Sequence, residues 1–193
     1  LEVVAKGRKA TVTGDWNAAI FTSKAQDAAV TSYDMTNVVQ LSEQPVAANE
    51  NALFFTAAPI EGSANVVANG VCDSLLIHTR SEFASAKAFT ARKSVLVLDD
   101  AKAGEWNDVF MPFSAPLPYG MQGRVVNTIE RSRLTVSNVR EAEAMKPLLY
   151  LADREGLNTI EATDVALSTD TVGSLVDGFW KGSTLKTSLS RQA

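Results

Sequence analysis

Beyond about residue 49 the chain is a succession of short extended segments divided by turn residues, with no sustained helical period to compete. The segments are residues 52–57, 66–67, 74–78, 94–98, 109–113, 124–129, 134–139, 148–151, 159–167 and 178–181. Glu61-Gly62-Ser63, Asn69-Gly70, Ala103-Gly104, Tyr119-Gly120, Gln122-Gly123 and Glu155-Gly156 punctuate them, because these residue types tolerate the backbone angles that reverse a chain. Asn69-Gly70 is the best hairpin signal, since both central positions of a type I′ turn need positive φ. Many short strands at this spacing build a sandwich or a barrel. The expected fold is therefore mainly β, a β-sandwich or jelly-roll-like arrangement.

Residues 106–113, Trp-Asn-Asp-Val-Phe-Met-Pro-Phe, carry five large apolar side chains in eight positions. Both faces of an extended segment would then carry bulk, as where a sheet is covered on both sides, and Trp106 and Phe113 are expected in the core. Pro112 cannot donate to a ladder, so pairing should stop there. Pro112, Pro116 and Pro118 make the following stretch an extended connection, and residues 140–146 are able to form a helical turn that Lys146-Pro147 would close quickly.

The first forty residues read differently. Residues 10–13 suggest a strand, Gly14-Asp15 a turn and helix cap, and residues 17–29 a helix with Ile20, Phe21, Ala25 and Ala28 near one face. Residues 30–35 return to alternation. Strand, helix and strand make one right-handed crossover with parallel strands. A boundary is expected near residue 48, with 1–48 a small strand-helix-strand cap packed on the rest and 49–193 the sandwich-like domain.

A chain of 193 residues buries roughly 70% of its unfolded surface, so a core needs no staples. The net charge of −4, with Lys and Arg scattered, excludes a nucleic-acid surface, which needs clustered cations. No apolar stretch approaches the roughly 20 residues of a membrane helix, so no transmembrane segment is expected in this chain. It opens on Leu1-Glu2 without the basic start and apolar stretch of a secretory signal, which reads as a processed product or an excised fragment. Cys72, the single cysteine, sits among apolar neighbours and reads as an inert buried thiol.

Chemistry is sparse. His78 is the only histidine, which excludes a multi-histidine metal centre and reads as a hydrogen-bonded or exposed strand-end residue. There is no nucleophile elbow, phosphate loop or dinucleotide fingerprint. The close carboxylate pairs, Asp99-Asp100, Asp153/Glu155 and Glu141/Glu143, are the ones a glycosidase would need, but Asp99 and Asp100, as adjacent strand residues, point to opposite faces and read as a solvated turn, and aromatics at 7% are sparse for an aromatic-lined cleft. A solvated turn is likewise a better reading of Asp99, Asp100 and Asp108 than a Ca²⁺ set. No enzyme and no cofactor are expected. Sugar-binding surfaces stack rings on exposed aromatics, and Tyr119, Trp16 and Trp180 are the candidates, Tyr119 foremost because Pro118-Tyr119-Gly120 reads as a loop tip.

Several phrases in order resemble a module of secreted and surface proteins of gut anaerobic bacteria of the Bacteroides type, often found carboxy-terminal to leucine-rich repeats. They are residues 30–38, Asn51-Ala52-Leu53-Phe54-Phe55, residues 65–72, residues 86–91, residues 106–113, residues 146–151 and Phe179-Trp180-Lys181-Gly182. The amino-terminal strand-helix-strand resembles a single leucine-rich-repeat unit that caps the β region, since one unit cannot bury itself. The resemblance implies an extracellular or cell-surface location and a role in adhesion or glycan contact. It supplies no catalytic or binding residues. The expected function is a non-enzymatic surface interaction module whose partner is a host or bacterial surface glycan or protein. The alternatives are a structural spacer supporting a recognition repeat region and, behind that, a glycan-active hydrolase.

Overall fold

The structure, a computed structural model, describes residues 1–130, 133–173 and 182–185; the expected strand at 178–181 and Trp180 lie outside the described residues. In chain order the elements are β1 (Glu2–Lys6), β2 (Lys9–Asp15), α1 (Ala18–Lys24), β3 (Ser32–Val39), β4 (Leu53–Thr56), β5 (Val66–Ala68), β6 (Val71–His78) and β7 (Phe89–Val97). There follow β8 (Trp106–Phe110), β9 (Ala115–Pro116), β10 (Met121–Glu130), β11 (Arg133–Val139), β12 (Glu141–Ala142), β13 (Pro147–Ala152) and β14 (Thr159–Leu167). No helix among the described residues is long and apolar enough to cross a membrane.

The fold is mainly β and sandwich-like. One sheet of eight strands runs β1-β2-β3-β4-β5-β6-β7-β14, a second of four runs β11-β10-β13-β8, and β12 pairs with β9. The first sheet is mixed: β2–β3, β3–β4, β4–β5 and β6–β7 are parallel. A jelly roll is antiparallel, so of the two expected arrangements the sandwich is the one adopted. Leu53, Phe55, Leu75 and Leu96 of the first sheet share a core with Val109, Phe113, Leu148 and Tyr150 of the segments opposite.

The first sheet has a second apolar layer on its other face. Phe54, Val66, Tyr33 and Val12 pack there against Phe21 of α1, which is fully buried. Leu53, Phe54, Phe55 and Thr56 are consequently all buried, the run of bulk expected of parallel strands covered on both sides. The sheet passes without a break through residue 48, because β3 pairs with β4 in parallel, Ser32 opposite Leu53.

Helix α1 is shorter than the expected 17–29. Asn17, rather than Asp15, caps it, with Oδ1 accepting from the Ile20 N–H at 3.0 Å; Asp15 belongs to β2. It ends because Asp27 folds back on the chain, its Oδ1 accepting from Ala29 N at 2.9 Å and its carbonyl from Val30 N at 3.1 Å, an Asx turn that competes with the helix ladder. Asn69 and Gly70 have φ of 51° and 77° and join β5 to β6 antiparallel, as the hairpin reading requires. Gln122-Gly123 is no turn: Gly123 lies inside β10, opposite Val139 and Tyr150, where Leu117 and Val139 fill the space a side chain would need. Residues 140–146 hold the short strand β12 in place of a helical turn, because Ala142 is drawn into the core opposite Ala115.

One device replaces backbone pairing along β6. Strand β5 is only three residues long and reaches Val71 and Cys72, which leaves the same edge of β6 open at Leu76 and His78. Two buried asparagines close it. Asn65 accepts from Leu76 N at 2.8 Å and donates to Leu76 O at 2.9 Å, and Asn51 treats His78 in the same way. Each amide side chain thus acts as the missing peptide of a ladder.

Candidate functional site

The outer face of the second sheet is built by register. Opposed residues of an antiparallel pair lie on one side of the sheet, so Trp106, Leu151 and Gln122 form one row and Asp108, Leu149, Arg124 and Asn138 the next. The intervening Tyr150 and Leu148 turn inward and are buried. Strand β13 is apolar throughout, and its outward leucines, 149 and 151, therefore remain half-buried on the open face.

Trp106 is 39% exposed, which corrects the expectation that it fills the core; Phe113, from the same run, is fully buried. The reason is parity. Trp106 shares its side of β8 with Asp108, not with the buried Val109, and that alternation is the signal the sequence carries. The Arg124 guanidinium lies over the indole, 4.4 Å from its centroid, within range of a cation–π attraction. Its Nε donates to Asn138 Oδ1 at 3.1 Å. Stacking and hydrogen bond together fix the plane of the guanidinium, and among the described residues no carboxylate pairs with it.

Tyr119 is 93% exposed in the loop before β10. Pro118 O accepts from Met121 N at 3.0 Å and Gly120 has φ of 88°, so Tyr119 sits at the corner of a glycine-dependent turn. Gly120 O accepts from Asp153 N at 2.9 Å, tying that turn to the end of β13. Trp106 pairs with Leu151, two residues before Asp153. Tyr119 and Trp106 therefore stand at the same end of the same sheet, with β13 between their strands.

Trp16 is elsewhere. It packs on Phe21 with ring centroids 5.5 Å apart, and its Nε1 donates to Glu43 Oε1 at 3.0 Å, so it closes the apolar layer around α1. Trp180 lies outside the described residues.

His78 anchors a second polar cluster. Its Nδ1 is 3.0 Å from Asp99 Oδ1; a carboxylate only accepts, so Nδ1 carries the proton. Asp99 also accepts from the Arg80 N–H at 3.1 Å. Burial works to raise the Asp99 carboxyl, but the hydrogen bonds from His78 and Arg80, with their charges, outweigh it and hold the group below its ordinary range. Arg80 forks onto Glu50 at 2.6 and 2.5 Å, and Ser81 Oγ donates to Glu50 at 2.6 Å. The Arg80 hydrogen bond is the main cause that holds Glu50 down at about 2. The cluster borders a cavity of about 190 Å³ between the sheets that Val109 and Thr184 also line. These hydrogen bonds and ion pairs bind the loop before β4 to the ends of β6 and β7.

Of the remaining carboxylates singled out above, Asp153 pairs with Arg154 at 3.1 Å and Glu143 with Lys146. Among the described residues no three His, Cys, Asp or Glu come together as a metal site. Cys72 is fully buried, and burial pushes its thiol up to about 11. No known family matches the chain, and neither a curated protein nor a solved structure is similar to it.

Proposed function

We propose that this chain is a non-enzymatic interaction module of the cell surface or extracellular space, and that it binds glycan across the outer face of its second sheet. The reading is carried by one relationship: Tyr119, almost fully exposed, and Trp106, partly exposed, stand at one end of one sheet. Aromatic rings held in place by backbone turns and ladders offer large contact area at little conformational cost, and sugar rings present the C–H faces that stack on them. Strands β8 and β10 are two ladder spacings apart, roughly 10 Å, and the Arg124 side chain bridges part of that gap to reach the Trp106 indole. Leu149 and Leu151 floor the space between them, and Gln122 adds hydrogen-bonding capacity.

Glycan-array binding by the wild type and by the Tyr119→Ala and Trp106→Ala variants tests this. Signal that falls at least tenfold in either variant, with the melting temperature unchanged, supports the reading. Absence of signal from the wild type counts for the structural spacer, and turnover of a polysaccharide would overturn the non-enzymatic assignment.

A further inference from the structure

We infer that this sheet face selects an anionic glycan, one bearing carboxylate or sulfate groups, and that Arg124 is the residue that reads the charge. The inference rests on the proposal that the face binds glycan and adds the class of sugar.

A surface arginine ordinarily wanders or pairs with a neighbouring acid. Arg124 does neither. The indole of Trp106 holds its plane at 4.4 Å and Asn138 holds its Nε at 3.1 Å, while among the described residues the four N–H bonds of its terminal nitrogens make no hydrogen bond to protein. Those donors form a fork that matches a carboxylate or a sulfate in two-point geometry. Pre-fixing the fork removes much of the side-chain entropy that an exposed arginine loses on binding.

The surrounding acids do not neutralise it. Asp108 lies in the same row with its backbone two strands away, roughly 10 Å, and no ion pair joins its carboxylate to Arg124 among the described residues. Glu105 is 3.8 Å from Lys102, and Asp153 is engaged by Arg154. The protein as a whole carries −4, so diffuse attraction cannot gather a polyanion here; retention of one has to come from a local site. A sugar stacked beside Trp106 brings its ring substituents to the level of the guanidinium, so that one side chain pair reads both the ring and its charge.

The experiment is affinity electrophoresis of the whole chain through gels containing polygalacturonate, its fully methyl-esterified counterpart, or heparin. The ester keeps the sugar and removes the charge, and heparin separates sulfate from carboxylate recognition. Retardation by polygalacturonate or heparin but not by the ester is expected. Loss of one charged, two-point contact predicts a drop of roughly ten- to a hundredfold for Arg124→Gln, a smaller drop for Arg124→Lys, and no change for Arg92→Gln, a more exposed arginine on the other sheet that pairs with Asp73. Should Arg124→Gln melt early, Asn138→Ala frees the same guanidinium without removing it and is expected to weaken retention several-fold. Equal retardation by acid and ester, or retention that survives Arg124→Gln in a folded protein, overturns the inference; if Trp106→Ala still abolishes retention in that case, glycan binding itself stands. Failure of every polymer overturns the inference as well, and the glycan array then decides whether a neutral sugar is bound instead.

Discussion

Asn51 pairs with the backbone of His78 as a neighbouring strand would, its Oδ1 accepting from His78 N at 2.7 Å and its Nδ2 donating to His78 O at 2.8 Å. The same Nδ2 donates to Ser81 O at 2.9 Å, and the asparagine is fully buried. Each polar group stranded without a partner in such a place costs about 1–3 kcal/mol. Asn51→Leu is therefore expected to destabilise the fold by roughly 3 kcal/mol, and thermal or urea unfolding measures it. Asn51→Asp keeps the acceptor but turns two donors into a buried charge facing carbonyls, and is expected to do at least as much harm. A loss below about 1 kcal/mol for both would mean that the β6 edge is held by something else.

That pairing also marks where the sequence stops being legible. Strands announce themselves wherever apolar alternation meets a turn residue, as at β4, β6, β13 and β14, and the Asn69-Gly70 hairpin follows from backbone sterics alone. Strand β1 and the first half of β7 escape a sequence reading because Glu2, Lys6, Arg92 and Lys93 interrupt the apolar pattern at edges and on open faces. The substitution of Asn51 and Asn65 for a ladder is invisible there too, since it depends on which loop the parallel stack of β3, β4 and β5 delivers beside β6. At the candidate site Tyr119 is legible from Pro118-Tyr119-Gly120, a purely local signal. Trp106 is misplaced when its hydrophobicity is weighed ahead of its parity with Asp108, and Arg124 gives no local signal because its meaning comes from two residues on other strands of the sheet.

Gly123 tests the packing between the sandwich layers. A Cβ there would meet Leu117 Cδ1 and lie 3.2 Å from both Cγ2 and the carbonyl of Val139, with β10 unable to retreat because it is paired on both sides. Gly123→Ala is expected to cost about 1–3 kcal/mol through overpacking. Pairing it with Leu117→Ala should cost less than the sum of the two single changes, because the second vacates the space the first needs. Additive losses in a double-mutant cycle would show that the clash is relieved elsewhere.

Tyr33 predicts a gain. Its ring is buried, stacked on Phe54 at 5.6 Å and edge-on to Phe21 at 5.3 Å, while its hydroxyl is buried without a partner among the described residues. Tyr33→Phe keeps every ring contact and removes a desolvated group, so it is expected to stabilise by about 1 kcal/mol, a rise of roughly 2–4 °C in melting temperature for a chain of this size. Burial first, and Asp27 second, push the phenol up to about 12 from an ordinary 10. A group raised in the folded state supports folding below its unfolded value and withdraws that support as pH climbs toward its folded one. The advantage of the Tyr33→Phe variant should accordingly widen between pH 10 and 12, and a gap that stays constant over that range would contradict the burial of the hydroxyl.

Glu50 sets the acid side of the stability profile. Its carboxyl falls from an ordinary 4.5 to about 2, chiefly through the Arg80 hydrogen bond and with Ser81 adding to it against the cost of burial. A depressed carboxylate stabilises the fold above its unfolded value and loses that contribution as pH drops through the folded one, so the window is pH 4.5 to 2. Asp99, also held low, moves in the same direction. Arg80 is more than half exposed, and solvent screening reduces the contribution to about 1 kcal/mol. Glu50→Gln should therefore melt roughly 2–4 °C below the wild type at neutral pH, with the two curves converging as the pH is lowered to about 2. Melting curves taken at half-unit steps across that interval decide the matter: parallel profiles would show that the Glu50–Arg80 fork does not couple to folding, whereas convergence places the acid sensitivity of this sandwich at the junction of the β4 loop with β6 and β7.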